Sequence, residues 1–282
     1  MYQKKFEKNY EKLPDLIKVY DRENFNPRQI LECGQIFTYE KISNGYTVFS
    51  RDKIARISDH GDYYLIETKD VDYFENFFDL KTDYGEIKKK LSKYEILKRP
   101  IEFGQGIRII KQDLFDVMIS FIISANNNIK RIQKILNRVK EKFGSVRDGY
   151  IAMPTKEDLL KASEKDFEEL GAGYRAKYLY NAVRQFDRDK FENWRNDTSD
   201  NLRKNLIQIS GVGPKVADCI MLFGYGKQDV FPVDIWMKNM YEKYYHPEEN
   251  RKIIAKNLTD EFGNLSGYAQ QYLYYYMISG ES

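Results

Sequence analysis

Over its first third the chain alternates apolar and polar residues with period two; afterwards the apolar residues recur with a helical period. Residues 35–39 and 45–49 flank Ser43-Asn44-Gly45, and an Asn-Gly pair between alternating runs is a strong two-residue hairpin signal. Residues 53–57 and 63–67 flank a second turn at His60-Gly61-Asp62, so the four runs predict an antiparallel meander. Short helical patterns follow at about 71–78 and 84–94. From about Pro100 the pattern stays helical. Residues 113–125 (DLFDVMISFIISA) are apolar nearly all round, which predicts a helix enclosed on every side. Ile129, Ile132, Ile135, Leu136, Val139 and Phe143 recur at helical spacing, and Gly144 ends that helix. Thr155-x-x-Asp158 and Ser163-x-x-Asp166 read as capping-box variants, and Gly171 as a helix stop. Further helices are predicted at 174–186, 201–209, 215–223, 235–245, 251–262 and 268–278. No internal repeat, low-complexity tract or evident linker breaks the series. The expected fold class is α+β: an antiparallel β-rich domain over residues 1–99, then an all-helical domain over 100–282 with a helical hairpin at about 202–224.

Composition narrows the chemistry. The 282 residues suffice for one large domain or two ordinary ones with a real core. The net charge of +3 is compatible with DNA binding and too small to argue for it. The 23 tyrosines are abundant, and most are expected in the core and at its boundary. Two cysteines, Cys33 and Cys219, exclude both a disulfide framework and a four-cysteine iron–sulfur cluster. His60 and His246 lie far apart and form no zinc motif. No run approaches eighteen apolar residues and the first residues hold no signal-peptide core. The expectation is a soluble intracellular protein of the cytoplasm or nucleoid, or of the nucleus in a eukaryote.

The segment LIQISGVGPKVADCIMLFGYGKQDVFPVD (206–234) carries the most chemistry. Gly211-Val212-Gly213 can turn tightly between two helices, and Pro214 suits the first turn of the second. The unpaired N–H groups at that helix start can hold a phosphate, although an ordinary helix–turn–helix connection would look the same. Lys215 stands in the first helical turn, where the macrodipole disfavours a cation and favours the free amine that a nucleophile needs. Cys219, four residues on, shares its helix face. Asp234 precedes a helical pattern and reads as an N-cap. A carboxylate there could also stabilise positive charge at a breaking glycosidic bond. Hairpin, lysine and aspartate together are compatible with a DNA glycosylase for one of several lesions. They also leave open a non-catalytic DNA-binding module.

Five motifs in order resemble the 8-oxoguanine DNA glycosylase/AP lyases of the helix–hairpin–helix superfamily. They are CGQIF (33–37), QDLFDVMISFIISANNNIKRI (112–132), LGAGYRAKY (170–178), GVGPKVADC with PVD, and GYAQQYLYYY (267–276). The resemblance implies a helix–hairpin–helix glycosylase domain, with Lys215 as Schiff-base nucleophile and Asp234 as catalytic carboxylate. It implies that the Gly34 carbonyl meets the N7–H of 8-oxoguanine, where guanine has only an acceptor. Gln270 would read the Watson–Crick edge of the flipped base, between Tyr274 on one side and Cys219 on the other. Asn126, Arg131 and Arg175 would contact the orphaned cytosine, Tyr174 would wedge beside it, and Gly211, Val212 and Gly213 would hold a phosphate. Animal members have His two residues after the aspartate and Phe at the stacking position; here these are Trp236, which can donate to a phosphate but cannot titrate, and Tyr274. The implied partner is duplex DNA with 8-oxoguanine opposite cytosine, bound by a monomer. The chemistry needs no cofactor, no metal site is expected, and nothing demands an alkali ion at the hairpin carbonyls.

Overall fold

The computed structural model describes residues 9–280. Six antiparallel strands run β1 (Tyr10–Leu13), β2 (Leu16–Val19), β3 (Tyr39–Ile42), β4 (Gly45–Ser50), β5 (Lys53–Asp59) and β6 (Tyr64–Glu67), in the sheet order β1-β2-β6-β5-β4-β3. The β3–β4 register pairs Ile42 with Gly45, so the loop is the two residues Ser43-Asn44, as the Asn-Gly signal implies. Alternate residues Ile17, Val19, Val48, Ala55, Ile57 and Ile66 point inward and pack on the short helices Pro27–Leu31 and Val71–Phe77 through Phe25, Ile30, Leu31, Phe74 and Phe77.

Several elements depart from the sequence reading. The β1–β2 hairpin was hidden by the charges on β1, whose middle residues are exposed. Of the run 35–39, only Tyr39 joins a strand. Gln35 is fully buried, and its amide bonds the carbonyls of Ile30 (2.8 Å) and Arg108 (2.7 Å), so the segment is held by side chains instead of a ladder. Pro100 lies inside the helix Glu95–Phe103 and does not open the helical region.

The remainder is helical except for a small antiparallel hairpin, Val146–Arg147 paired with Tyr150–Ile151 around Asp148-Gly149, which breaks the stretch expected to be all helical. Leu114–Ser124 is buried along its whole length, as its apolar run predicts. Helix Ile129–Phe143 packs beside it, and both predicted capping boxes, Thr155/Asp158 and Ser163/Asp166, are formed. Helix Arg175–Gln185 and the hairpin helices Ser199–Leu206 and Pro214–Ile220 complete this core. A second helical core joins Tyr84–Leu91 and Glu95–Phe103 to Ile235–Tyr244, Arg251–Phe262 and Ser266–Ile278. No described helix is long and apolar enough to cross a membrane.

The sheet is clamped to the buried helix by its first turn. Asp116 accepts the Arg51 N–H at 2.7 Å, and Asp113, the helix N-cap, takes a forked pair of bonds from Arg188 (2.6 and 3.2 Å). Burial, with the neighbouring Asp113 charge, pushes the Asp116 carboxyl upward.

The hairpin has its own strut. Arg203 on the first helix donates to Asp218 on the second at 2.7 Å. Burial pushes the Asp218 carboxyl up to about 6 despite Arg203. The native state therefore binds this proton more tightly than the unfolded chain, where the aspartate value is about 3.9. Its contribution to stability is full below about pH 4 and is lost as pH rises through about 6. Asp218→Asn, which cannot ionise, should gain on the wild type across that window by up to about 3 kcal/mol. Urea unfolding of both proteins between pH 4 and 7 measures this; a difference that is flat or moves the other way rejects it.

Candidate active site

Gly34, Lys215, Cys219, Asp234, Gln270 and Tyr274, which are spread over nearly the whole chain, line one cavity. Its floor was not foreseen. Phe121 of the buried helix and Phe223 stack at 5.4 Å with 14° between their planes, and Pro232 and Gln271 complete the lining. Aromatic residues inside an apolar helix read as core, and nothing in the sequence marks one of them as facing a pocket.

Lys215 enters from the first turn of Pro214–Ile220, with its ammonium 5.1 Å from the Phe121 ring centre. Asp234 caps Ile235–Tyr244, and its Oδ1 accepts the Met237 N–H at 3.0 Å. That bond uses one oxygen and one direction, so the N-cap role and a role toward the cavity are compatible. Lys215 and Asp234 form no direct ion pair among the described residues, although both face the cavity. Burial pushes the Cys219 thiol up to about 11 against the opposing Lys215 charge, so at neutral pH it is an uncharged packing surface. Burial and the Asp234 charge likewise keep the Tyr274 phenol protonated.

Gly34 adopts φ +78°, and a Cβ there would come 2.8 Å from Tyr274 Cε1. Both the backbone conformation and the ring overhead require glycine. Gln270 is buried, and its side-chain oxygen has no hydrogen-bond partner among the described residues. A buried amide oxygen without a partner costs about 1–3 kcal/mol and is an acceptor waiting for a donor. The cavity holds about 20 Å³, room for one water, so a base would have to displace side chains to enter.

A second group forms at the C-terminal end of the buried helix. Tyr174 is 59% exposed, with its hydroxyl 3.2 Å from the Ala125 carbonyl. Arg131 is exposed and donates to the Gly171 carbonyl at 3.3 Å. Asn126 has the left-handed φ of +50°. Arg175 is only 3% exposed. Its guanidinium lies 4.4 Å from the Tyr174 ring centre and donates to the carbonyls of Ala125 (2.8 Å from Nε), Asn126 (2.8 Å) and Ala172 (3.3 Å). It thus caps the end of a buried helix, where free carbonyls and the negative end of the dipole both call for a cation.

The hairpin abuts this group. Gly211, at φ +81°, admits no Cβ, which would stand 2.7 Å from Tyr178 Cβ. The Val212 N–H is spent on the Ile209 carbonyl at 3.0 Å. Gly211 and Gly213 donate no hydrogen bond among the described residues, so they, rather than Val212, have N–H groups to offer. Trp236 is 43% exposed on the same helix start as Asp234. Among the described residues no cluster of three metal-ligating side chains occurs. A larger concavity of about 240 Å³ lies on the β-rich side, between Asn26, Tyr46 and Asp59, and shares no lining residue with the site.

This hairpin, with a lysine and a capping aspartate over one cavity, has the layout of helix–hairpin–helix DNA repair proteins. Residues 119–263 match the HhH-GPD superfamily of base excision DNA repair proteins, and residues 17–118 match the N-terminal domain of 8-oxoguanine DNA glycosylase. The chain belongs to the 8-oxoguanine DNA glycosylase/lyase family. It is 40% identical to the Clostridium acetobutylicum 8-oxoguanine glycosylase/lyase solved with double-stranded DNA containing cytosine opposite 8-oxoguanine. That match has a TM-score of 0.89 and covers 97% of this chain and 98% of the other. It is 34% identical, with a TM-score of 0.90, to MBOgg1 bound to a low-affinity DNA ligand, covering 98% and 100%. The Saccharomyces cerevisiae N-glycosylase/DNA lyase is 37% identical over 54% of this chain, a stretch that spans 45% of the yeast protein. The Archaeoglobus fulgidus 3-methyladenine DNA glycosylase shares the fold at 14% identity, with a TM-score of 0.75.

The geometry makes Arg175 a folding residue. Arg175→Ala should lower stability by about 2–4 kcal/mol, since it strands buried carbonyls at a helix end. Thermal unfolding measures this, and an unchanged melting temperature would remove the capping role.

Proposed function

We propose that this protein excises 8-oxoguanine opposite cytosine from duplex DNA and then cleaves the strand, acting as a monomer through Lys215. The observation that carries the reading is the convergence of Gly34, Lys215, Cys219, Asp234, Gln270 and Tyr274 on one cavity. The N–H groups of Gly211 and Gly213 and the indole of Trp236 hold phosphates. Tyr174 wedges into the duplex while Asn126 and Arg131 receive the orphaned cytosine. Arg175 reaches the cytosine only by giving up carbonyl bonds, so its first role is to shape the loop that carries Asn126. Flipping costs a few kcal/mol, offset by these contacts and by those in the pocket.

In the pocket the base slides between Tyr274 and Cys219. The Gly34 carbonyl accepts from N7–H, and guanine would meet it lone pair to lone pair. Gln270 turns its amide to the Watson–Crick edge. The Lys215 amine attacks C1′, and the bond from C1′ to N9 breaks with its electron pair leaving on the base, which takes up a proton. The Asp234 carboxylate stabilises the positive charge that builds at C1′. The nitrogen gives up one proton to the departing base; the C1′–O4′ bond then opens as the nitrogen donates its pair, O4′ takes up a proton, and a protonated Schiff base remains. The Schiff base acidifies C2′–H; loss of that proton expels the 3′ phosphate, which cuts the strand.

Three measurements test this. Borohydride should trap wild-type protein on 8-oxoguanine DNA and should not trap Lys215→Gln; an adduct with the variant means another nucleophile. Asp234→Asn should lose about 2.7–4 kcal/mol of transition-state stabilisation, as when a preorganised polar group is removed, and full activity would show that its charge is not needed. With 8-oxoguanine placed opposite each of the four bases, the wild type should favour cytosine and Arg131→Ala should lose that preference; equal preference in both proteins removes Arg131 from the readout.

A further inference from the structure

The Cys33–Gly34–Gln35 segment belongs to the β-rich part of the chain, whereas Lys215, Asp234 and Gln270 stand on helices. A carbonyl that tells two bases apart by one N–H has to be placed to within about 0.5 Å. Three consecutive carbonyls in this segment are treated differently. The Cys33 carbonyl accepts from Gln271 Nε2 at 2.8 Å, across 238 residues of chain. The Gln35 carbonyl accepts from Gln112 Nε2 at 2.7 Å. The Gly34 carbonyl between them accepts nothing among the described residues.

Gln271 is 1% exposed, and its neighbour Gln270, whose side-chain oxygen has no partner among the described residues, lines the cavity. One helix therefore supplies the group that addresses the base and the group that holds the opposite wall. Glycine at 34 makes that tether matter. With no side chain and φ +78°, its two peptide planes rotate at small cost unless their neighbours are fixed.

We infer that Gln271 is a positioning residue for base discrimination: by tethering the Cys33 carbonyl it aims the untethered Gly34 carbonyl at the base. This rests on the function proposed above. The side-chain amide of Gln271 is spent on the Cys33 carbonyl and makes no hydrogen bond to Lys215, so its effect belongs to recognition of the base and not to cutting at a site that has lost one.

The test compares two substrates. Wild type, Gln271→Met and Gln271→Glu are assayed for single-turnover base release from 8-oxoguanine:cytosine duplex and for cleavage of the same duplex carrying an abasic site. The ratio of base release to abasic cleavage should fall roughly 10- to 100-fold in Gln271→Met, the scale expected when a reacting group is misplaced by about 1 Å. Gln271→Glu keeps the length, and its buried carboxyl, once protonated, can donate to the Cys33 carbonyl. Its ratio should exceed that of Gln271→Met, with the gap widening as pH falls. If both rates fall in proportion and the ratio holds, Gln271 only packs the helix and the inference is overturned. If the wild type cleaves abasic DNA but releases no 8-oxoguanine, the proposed substrate is wrong and the inference falls with it.

Discussion

A helix without a solvent face must find all its terminal partners inside the protein. Leu114–Ser124 is such a helix, and the rest of the structure is arranged around its two ends. Its N-terminus takes Asp113 as cap and spends Asp116 on the sheet through the Arg51 N–H, which fixes how the β-rich part sits. Its C-terminus takes the Arg175 guanidinium, which fixes the loop at Asn126 and the turn at Tyr174. Midway along, Phe121 supplies the apolar floor beneath the Lys215 amine. Apolar burial drives the helix inward, and satisfying its ends organises both the loops at Asn126 and Tyr174 and the pocket.

The site is electrostatically quiet for one that holds a lysine and an aspartate. Cys219 stays neutral because burial outweighs the Lys215 charge, and Tyr274 because burial and the Asp234 charge act together, so the walls that would sandwich a base carry no charge. The polar groups that remain, the Gly34 carbonyl and the Gln270 amide, are directional and not ionic. Under the proposed function such a pocket would sort bases by donor and acceptor pattern, leaving the Asp234 carboxylate for the sugar.

The sequence was legible where a local rule has one outcome. Ile129–Phe143 and Arg251–Phe262 end where their apolar period and caps place them, and both capping boxes formed. The Ser43-Asn44 turn followed from the same kind of rule. Lys215, Asp234 and Cys219 were found through helix position and spacing, and Gly34, Gln270 and Tyr274 through family resemblance; the structure draws all six to one cavity. What stayed hidden is polar and buried. Gln35, Gln112 and Gln271 look like surface residues in one dimension, because their partners are main-chain carbonyls and N–H groups far away in sequence. Arg175 shows the opposite problem, since a residue that resembles a DNA contact first completes a helix end.

The open sheet carries a consequence of a different kind. Its outer strands, β1 and β3, are each four residues long and bear Glu11, Lys12, Glu40 and Lys41, three of which form salt bridges to neighbouring elements. Short, charged edges give an incoming strand little to pair with and much to desolvate. The sheet can thus remain unclosed without inviting edge-to-edge association.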